Sequence, residues 1–199
     1  MRTATIRTFI AINPPLEIIQ SLQEVLSKLL ELQILGLRCV GPNATHLTLK
    51  FLGNINPENA TVICEALDRA AKSIGPFKLD VNELGFFPSL SPPKIIWMGI
   101  DGCTYELSKL RTNVEREMAD LGFALDLREF KPHITLARVR RSLDSLGEAR
   151  LMYALKTIGP GCSHNWQVNS VCLTKSILTP AGPIYHNMHT IPLRTIVTG

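Results

Sequence analysis

Two stretches of the chain, His46-Leu47-Thr48-Leu49 and His133-Ile134-Thr135-Leu136, repeat one pattern: histidine, apolar residue, threonine, apolar residue. Each follows a turn-prone proline segment, Gly41-Pro42-Asn43 in one case and Lys131-Pro132 in the other. Side chains in a strand alternate faces, so His46 and Thr48 point one way, as do His133 and Thr135. Leu47, Leu49, Ile134 and Leu136 then point into hydrophobic cores. If the two strands face each other across a cleft, it holds two imidazoles and two hydroxyls. Histidine's ordinary pKa of about 6.5 lets one ring serve as base and the other as acid near neutral pH. Threonine hydroxyls donate to non-bridging phosphate oxygens. The set suits in-line displacement at phosphorus, with a base on the attacking side and an acid on the leaving side. A cyclic phosphodiester carries a single negative charge, so a metal ion is not obligatory. Arg138 lies on the same strand as His133 and would add a charge-assisted contact to the phosphate. It sits five positions on, however, and strict alternation puts it on the opposite face. The strand must end or bulge before it, or the side chain must reach round.

The elements that position these residues are readable from patterning. Residues 5–12 are β-branched and aromatic and read as a strand. Asn13-Pro14-Pro15 then starts a helix with Asn13 as its cap, an apolar stripe at Ile19, Leu22, Leu26 and Leu29, and Gly36 as its end. Thr45–Leu52 alternates as a half-buried strand. A second helix starts at Asn56-Pro57-Glu58, and strands follow at 77–84 and 94–100 around a Pro/Ser-rich loop from Phe87 to Pro93. A third helix spans 104–121 and stops at Gly122. Residues 142–156 read as helical, and 165–195 as two strands joined by the turn Thr179-Pro180-Ala181-Gly182-Pro183. Strands and helices mix without regular alternation, which favours α+β architecture with antiparallel sheets. No linker or clean boundary divides residues 1–199, so a single domain of two packed lobes is expected.

Composition narrows the classes. Apolar residues make up 45% of the chain and charged ones 19%, a globular balance that argues against long disorder. A net charge of +4 permits a polyanionic partner without demanding one, and it falls short of a dedicated duplex binder. The longest basic run, Arg138, Arg140 and Arg141, reads for its last two members equally as a solvated strand end or a phosphate contact. The five cysteines are widely spaced with no CxxC, which points to reduced thiols and away from disulfides or zinc. No export segment or membrane-length apolar run is present, so a cytoplasmic protein is expected. His186-x-x-His189 would be a metal pair only on a helix, which Pro183 and the β-rich surroundings oppose. His164 reads as a surface residue. A lone His-x-Thr is usually a packed or surface pair; two copies in matching contexts are hard to dismiss in that way.

At these residues the chain resembles the 2H phosphoesterase superfamily, named for its two His-x-Thr/Ser motifs. It is most similar to the RNA 2′,3′-cyclic phosphodiesterase branch, long labelled 2′–5′ RNA ligase. The likeness runs through Arg7-Thr8-Phe9-Ile10-Ala11-Ile12, His46–Gly53, Ile96-Trp97-Met98-Gly99, Pro132–Arg138 and Ser176–Tyr185. It implies a two-lobed α+β fold with pseudo-twofold symmetry, antiparallel sheets facing a central groove, and helices outside. It also implies metal-independent hydrolysis of RNA 2′,3′-cyclic phosphate to a 2′-phosphate, without a cofactor, by a monomer acting on RNA ends or small cyclic nucleotides. His46 would be the acid for O3′ and His133 the base for water, with Thr48, Thr135 and Arg138 holding the phosphate. The pseudo-symmetry lets the two histidines exchange roles if the substrate binds reversed. Many members carry Trp shortly before the first motif, where this chain has Cys39. Phe9 and Phe51 read as core residues rather than base-stacking platforms. Two other readings use the same residues: reversible 2′–5′ ligation, with a 5′-hydroxyl replacing water, and nucleotide or RNA binding without turnover.

Overall fold

Strand β1 (Ile6–Ile12) enters the core over its second half. The computed structural model describes residues 4–88, 93–158, 164–180 and 182–194. Helix α1 (Leu16–Glu31) follows, burying Ile18, Leu22, Val25 and Leu29. Asn13 does not cap it; Pro15 stands at the cap position with no side-chain hydrogen bond. The helix begins at Leu16, too late for Asn13 to stand at its cap. The Asn13 amide instead donates to Cys172 and Asn187. After Gly36, whose φ of 88° suits glycine, the chain forms a short strand, β2 (Leu37–Cys39), that the patterning did not reveal.

Strand β3 (Leu47–Ile55) carries the first motif. Asn56 then opens a short 3-10 turn by accepting from Glu58 N at 3.2 Å, ahead of helix α2 (Ala60–Ala71). Strands β4 (Phe77–Phe87) and β5 (Ile95–Gly102) follow; most of the loop expected between them lies outside the described residues. Helix α3 (Thr104–Asp120) ends before Gly122, whose φ is 87°. Strand β6 (His133–Val139) carries the second motif. Helix α4 (Ser145–Thr157) is capped by Asp144, which accepts from Gly147 N at 2.7 Å. The C-terminal region holds three strands where two were expected: β7 (His164–Val168), β8 (Ser170–Thr179) and β9 (Gly182–Pro192). His186 and His189 both lie on β9, not on a helix, and His164 is exposed.

The strands form one antiparallel array ordered β7-β4-β5-β6-β3-β1-β8-β9, with β2 added against β6. The order reads outward from the middle as two matching lobes. One runs β3-β1-β8-β9 and the other β6-β5-β4-β7. The chain builds them from β1-α1-β3-α2 and β5-α3-β6-α4, and the β8–β9 hairpin returns to complete the first lobe. Between β3 and β6 a single residue pair, Leu47 with Ile134, is in register. Both residues are fully buried, and they join the apolar faces of all four helices in one core. The opposite face of the sheet, at the seam between lobes, belongs to the histidines.

Candidate active site

The Leu47–Ile134 pair fixes the site. His46 precedes Leu47 and His133 precedes Ile134, so both histidines lie next to the pair that joins the two strands. The two rings are near enough for the charge of one to act on the other. The two strands that carry them lie side by side, each at the inner edge of its lobe.

Each ring is held the same way. His46 Nδ1 lies 2.9 Å from the carbonyl of Ala44, and His133 Nδ1 lies 2.7 Å from that of Lys131. A carbonyl only accepts, so both Nδ1 atoms carry the proton, and both Nε2 atoms are left for a ligand. Each ring is also walled by aromatics. His46 packs against Phe9 at 4.7 Å and meets the edge of Tyr185 at 4.9 Å. His133 meets Phe87 at 4.9 Å and Trp97 at 6.0 Å.

The matching continues beyond the motifs. Thr48 pairs with Ala11 and Lys50 with Ile10, so Leu49 is an extra residue on β3. Thr135 pairs with Trp97 and Ala137 with Ile96, so Leu136 is an extra residue on β6. Both bulges fall three residues after the histidine. A bulge breaks the alternation and turns the later residues of the strand to the other face. This delivers Arg138 to the histidine face, as its proposed contact with phosphate requires. On β3 the equivalent position is Phe51. It is 63% exposed, so the expectation that it is a core residue is overturned; Phe9, 3% exposed, is core as expected. Arg140 and Arg141 are exposed at the strand end. Cys39 pairs with Ala137 on the far side of β6.

Electrostatics favour neutral rings in the unliganded protein. Burial pushes His46 down from its ordinary value to about 4, and the charges of His133 and Arg138 push the same way, against the Ala44 carbonyl. His133 is lowered by burial and by Arg138, against the Lys131 carbonyl. An anion between the rings opposes both effects and stabilises an imidazolium. Anion binding near pH 6 is therefore expected to take up a proton. Sulfate does not titrate in that range, so calorimetry of sulfate binding in two buffers of different ionisation enthalpy measures the uptake directly. Buffer-independent heat would show that neither imidazole changes charge.

Several flanking residues carried no signal as single positions. Trp97 lies flat across Gly85, and a Cβ there would collide with the indole. Trp97 also stacks on Phe87 at 4.9 Å, so Gly85 indirectly places two neighbours of His133. Gly85→Ala is expected to destabilise the protein by about 1–3 kcal/mol through overpacking, measurable by urea unfolding. An unchanged midpoint would mean that the indole moves freely.

The chain is similar to known proteins in sequence and fold. The profile of the LigT-like phosphoesterase family matches residues 12–97 and 101–185. A protein of Archaeoglobus fulgidus named RNA 2′,3′-cyclic phosphodiesterase is 31% identical over 92% of this chain and 97% of its own length. One of the same name from Aeropyrum pernix is 33% identical over 73% of this chain and 80% of its own. Among solved structures, a protein of Thermus thermophilus superposes with a TM-score of 0.76 at 26% identity, covering 95% of this chain and 98% of that one. E. coli LigT, solved with 3′-AMP, gives 0.77 at 23% identity over 96% and 100% of the two chains, a likeness that speaks to the fold.

Proposed function

The chain belongs to the LigT-like phosphoesterases, and from that membership we infer that it opens RNA 2′,3′-cyclic phosphate ends to 2′-phosphomonoesters. The observation that supports the mechanism is the Leu47–Ile134 pair, which joins the two motif strands at the residue next to each histidine. In the step proposed, water attacks phosphorus and gives its proton to His133 Nε2. The P–O3′ bond breaks, and O3′ takes its proton from His46 Nε2. The O2′–P bond is kept. Thr48 and Thr135 donate to the non-bridging oxygens, and Arg138 balances the charge. Acid and base end the cycle with exchanged protonation states, which solvent resets. The enzyme is expected to act on RNA ends in the cytoplasm, as a monomer.

The two lobes match at His and Thr but not at the second residue after the bulge, where one carries Arg138 and the other Phe51. That difference breaks the symmetry of the pair and supports one direction of substrate binding, with His46 meeting O3′.

The test is to incubate the protein, in EDTA, with an RNA ending in a 2′,3′-cyclic phosphate and to identify the product. A 2′-phosphomonoester is expected. A 3′-phosphate would reverse the acid and base assignments, and an unchanged cyclic end would remove the reading.

A further inference from the structure

Arg38 is the middle residue of β2, the three-residue strand held by β6. Its Nη2 donates at 2.9 Å to the carbonyl of Pro180, in the turn between β8 and β9. The two residues are 142 positions apart. Their bond joins the strand added to the second lobe to the hairpin that completes the first. The turn is shaped for this approach. Thr179 Oγ1 donates to the Gly182 carbonyl at 2.7 Å. Gly182 has a φ of 136°, which residues with a Cβ rarely adopt, and a Cβ there would stand 3.3 Å from Arg38 Nη2.

The hairpin that Arg38 holds also touches the first histidine. Tyr185 stands level with Ser176 and Arg7, near the start of β1. His46 precedes Leu47, which stands level with Ile12 at the end of β1. Five residues of extended strand separate those levels, on the order of 17 Å. The two rings nevertheless meet edge to face at 4.9 Å, and Phe9 lies 5.0 Å from Tyr185. The hairpin therefore comes over the histidine face, with the Arg38 bond at its tip and Tyr185 against His46.

We propose that Arg38 is a positioning residue for the hydrolysis: its bond to Pro180 ties the β8–β9 hairpin across the two lobes, and the tied hairpin sets Tyr185 against the His46 ring. The proposal rests on the reading above, in which His46 serves O3′. Arg38 also stands directly opposite Arg138 in the β2–β6 ladder, and like charges so placed repel. The Pro180 carbonyl gives Arg38 an acceptor of its own. Arg138 has no carboxylate partner among the described residues and stays available to phosphate. Arg38 acts on the acid and not on the substrate, so its loss lowers kcat and leaves KM nearly unchanged.

The experiment follows the ring protons of His46 and His133 by NMR in the free protein, and kcat and KM on a short RNA ending in a 2′,3′-cyclic phosphate. Arg38→Ala removes the donor. Gly182→Ala strains the turn and crowds Arg38 while keeping its charge, and it serves if the first variant fails to fold. Arg38→Lys keeps a charged donor. In Arg38→Ala and in Gly182→Ala the His46 protons, which lie in the ring-current field of Tyr185, are expected to shift, and kcat to fall roughly tenfold, the worth of one hydrogen bond to a charged group. The His133 protons, beside Phe87 and Trp97, should stay in place, and Arg38→Lys should keep most of the rate. Unmoved His46 protons in the two folded variants would overturn the proposal, as would equal movement of both histidines, the mark of a general loosening. A fall in kcat confined to Arg38→Ala would assign the effect to charge and overturn the tie. If wild type leaves the cyclic end unopened, the hydrolysis reading fails, and the ring-proton shifts alone decide whether Arg38 places His46.

Discussion

Alanine at His46 or at His133 is expected to slow opening of a 2′,3′-cyclic phosphate by about 10²–10⁴-fold, the usual worth of a positioned acid or base. The double variant should be scarcely slower than either single one, because an acid and a base acting in one step fail together. The geometry supports a joint role. Both rings are fixed by the same Nδ1 bond to the carbonyl two residues back. Both are pressed by aromatic neighbours, which limits their swing. Neither ring donates to a carboxylate among the described hydrogen bonds, so the backbone carbonyl alone selects the tautomer. Glutamine keeps the approximate shape but cannot shuttle a proton at neutral pH, so His46→Gln and His133→Gln should fail as alanine does. A loss below tenfold in any of these proteins, with folding intact by circular dichroism, would rule out the paired mechanism.

The largest effect on stability is expected at Glu115. Its carboxylate pairs with Lys50, and the two side chains are 9% and 2% exposed. The pair does more than join β3 to α3. Lys50 Nζ also donates to the Ala124 carbonyl at 2.8 Å, and Glu115 Oε2 accepts from Asp126 N at 3.2 Å. Arg111 stands 3.8 Å from the other carboxylate oxygen. The cluster therefore ties the strand of the first motif to the segment that leads into the second. Lys50 is the residue after the β3 bulge, where Ala137 stands in the other lobe, and the bulge is what turns it inward. Glu115→Ala leaves a buried ammonium without its partner and should cost about 3–5 kcal/mol. For a chain of this size that lowers the melting temperature by roughly 6–20 °C. Replacing both members with apolar residues of similar volume, Lys50→Met with Glu115→Leu, should recover much of the loss. A Glu115→Ala protein that melts with wild type would mean that water or Arg111 satisfies Lys50 equally well.

The motif pair was legible because it depends only on the two-residue period of strands, which the sequence displays twice. Most helices were legible for the same local reason: α3 and α4 lie within a few residues of their expected spans, and Asp144 caps α4 as a short acidic side chain does. The features that failed to show depend on pairing between distant segments. The bulges at Leu49 and Leu136 are visible only against β1 and β5, yet they decide that Arg138 and Phe51 share the histidine face. Strand β2 has three residues and exists because β6 offers it an edge. Asn13 resembles a cap in every local respect, but the helix starts at Leu16 and the Asn13 amide donates to Cys172 and Asn187 across the chain. Tyr185, Phe87 and Trp97 reach the histidines only through sheet order, and no spacing along the chain predicts that. The motifs therefore named the paired histidines and threonines, while the long-range register named their surroundings.

The central claim is that both imidazoles meet one phosphate, and histidine-selective 15N NMR during titration with adenosine 2′-monophosphate tests it most directly. The Nε2 resonances of His46 and His133 are expected to move together, with one apparent Kd, and neither should respond to adenosine in the same way. Movement of one ring alone, or of the two with different affinities, would contradict the account.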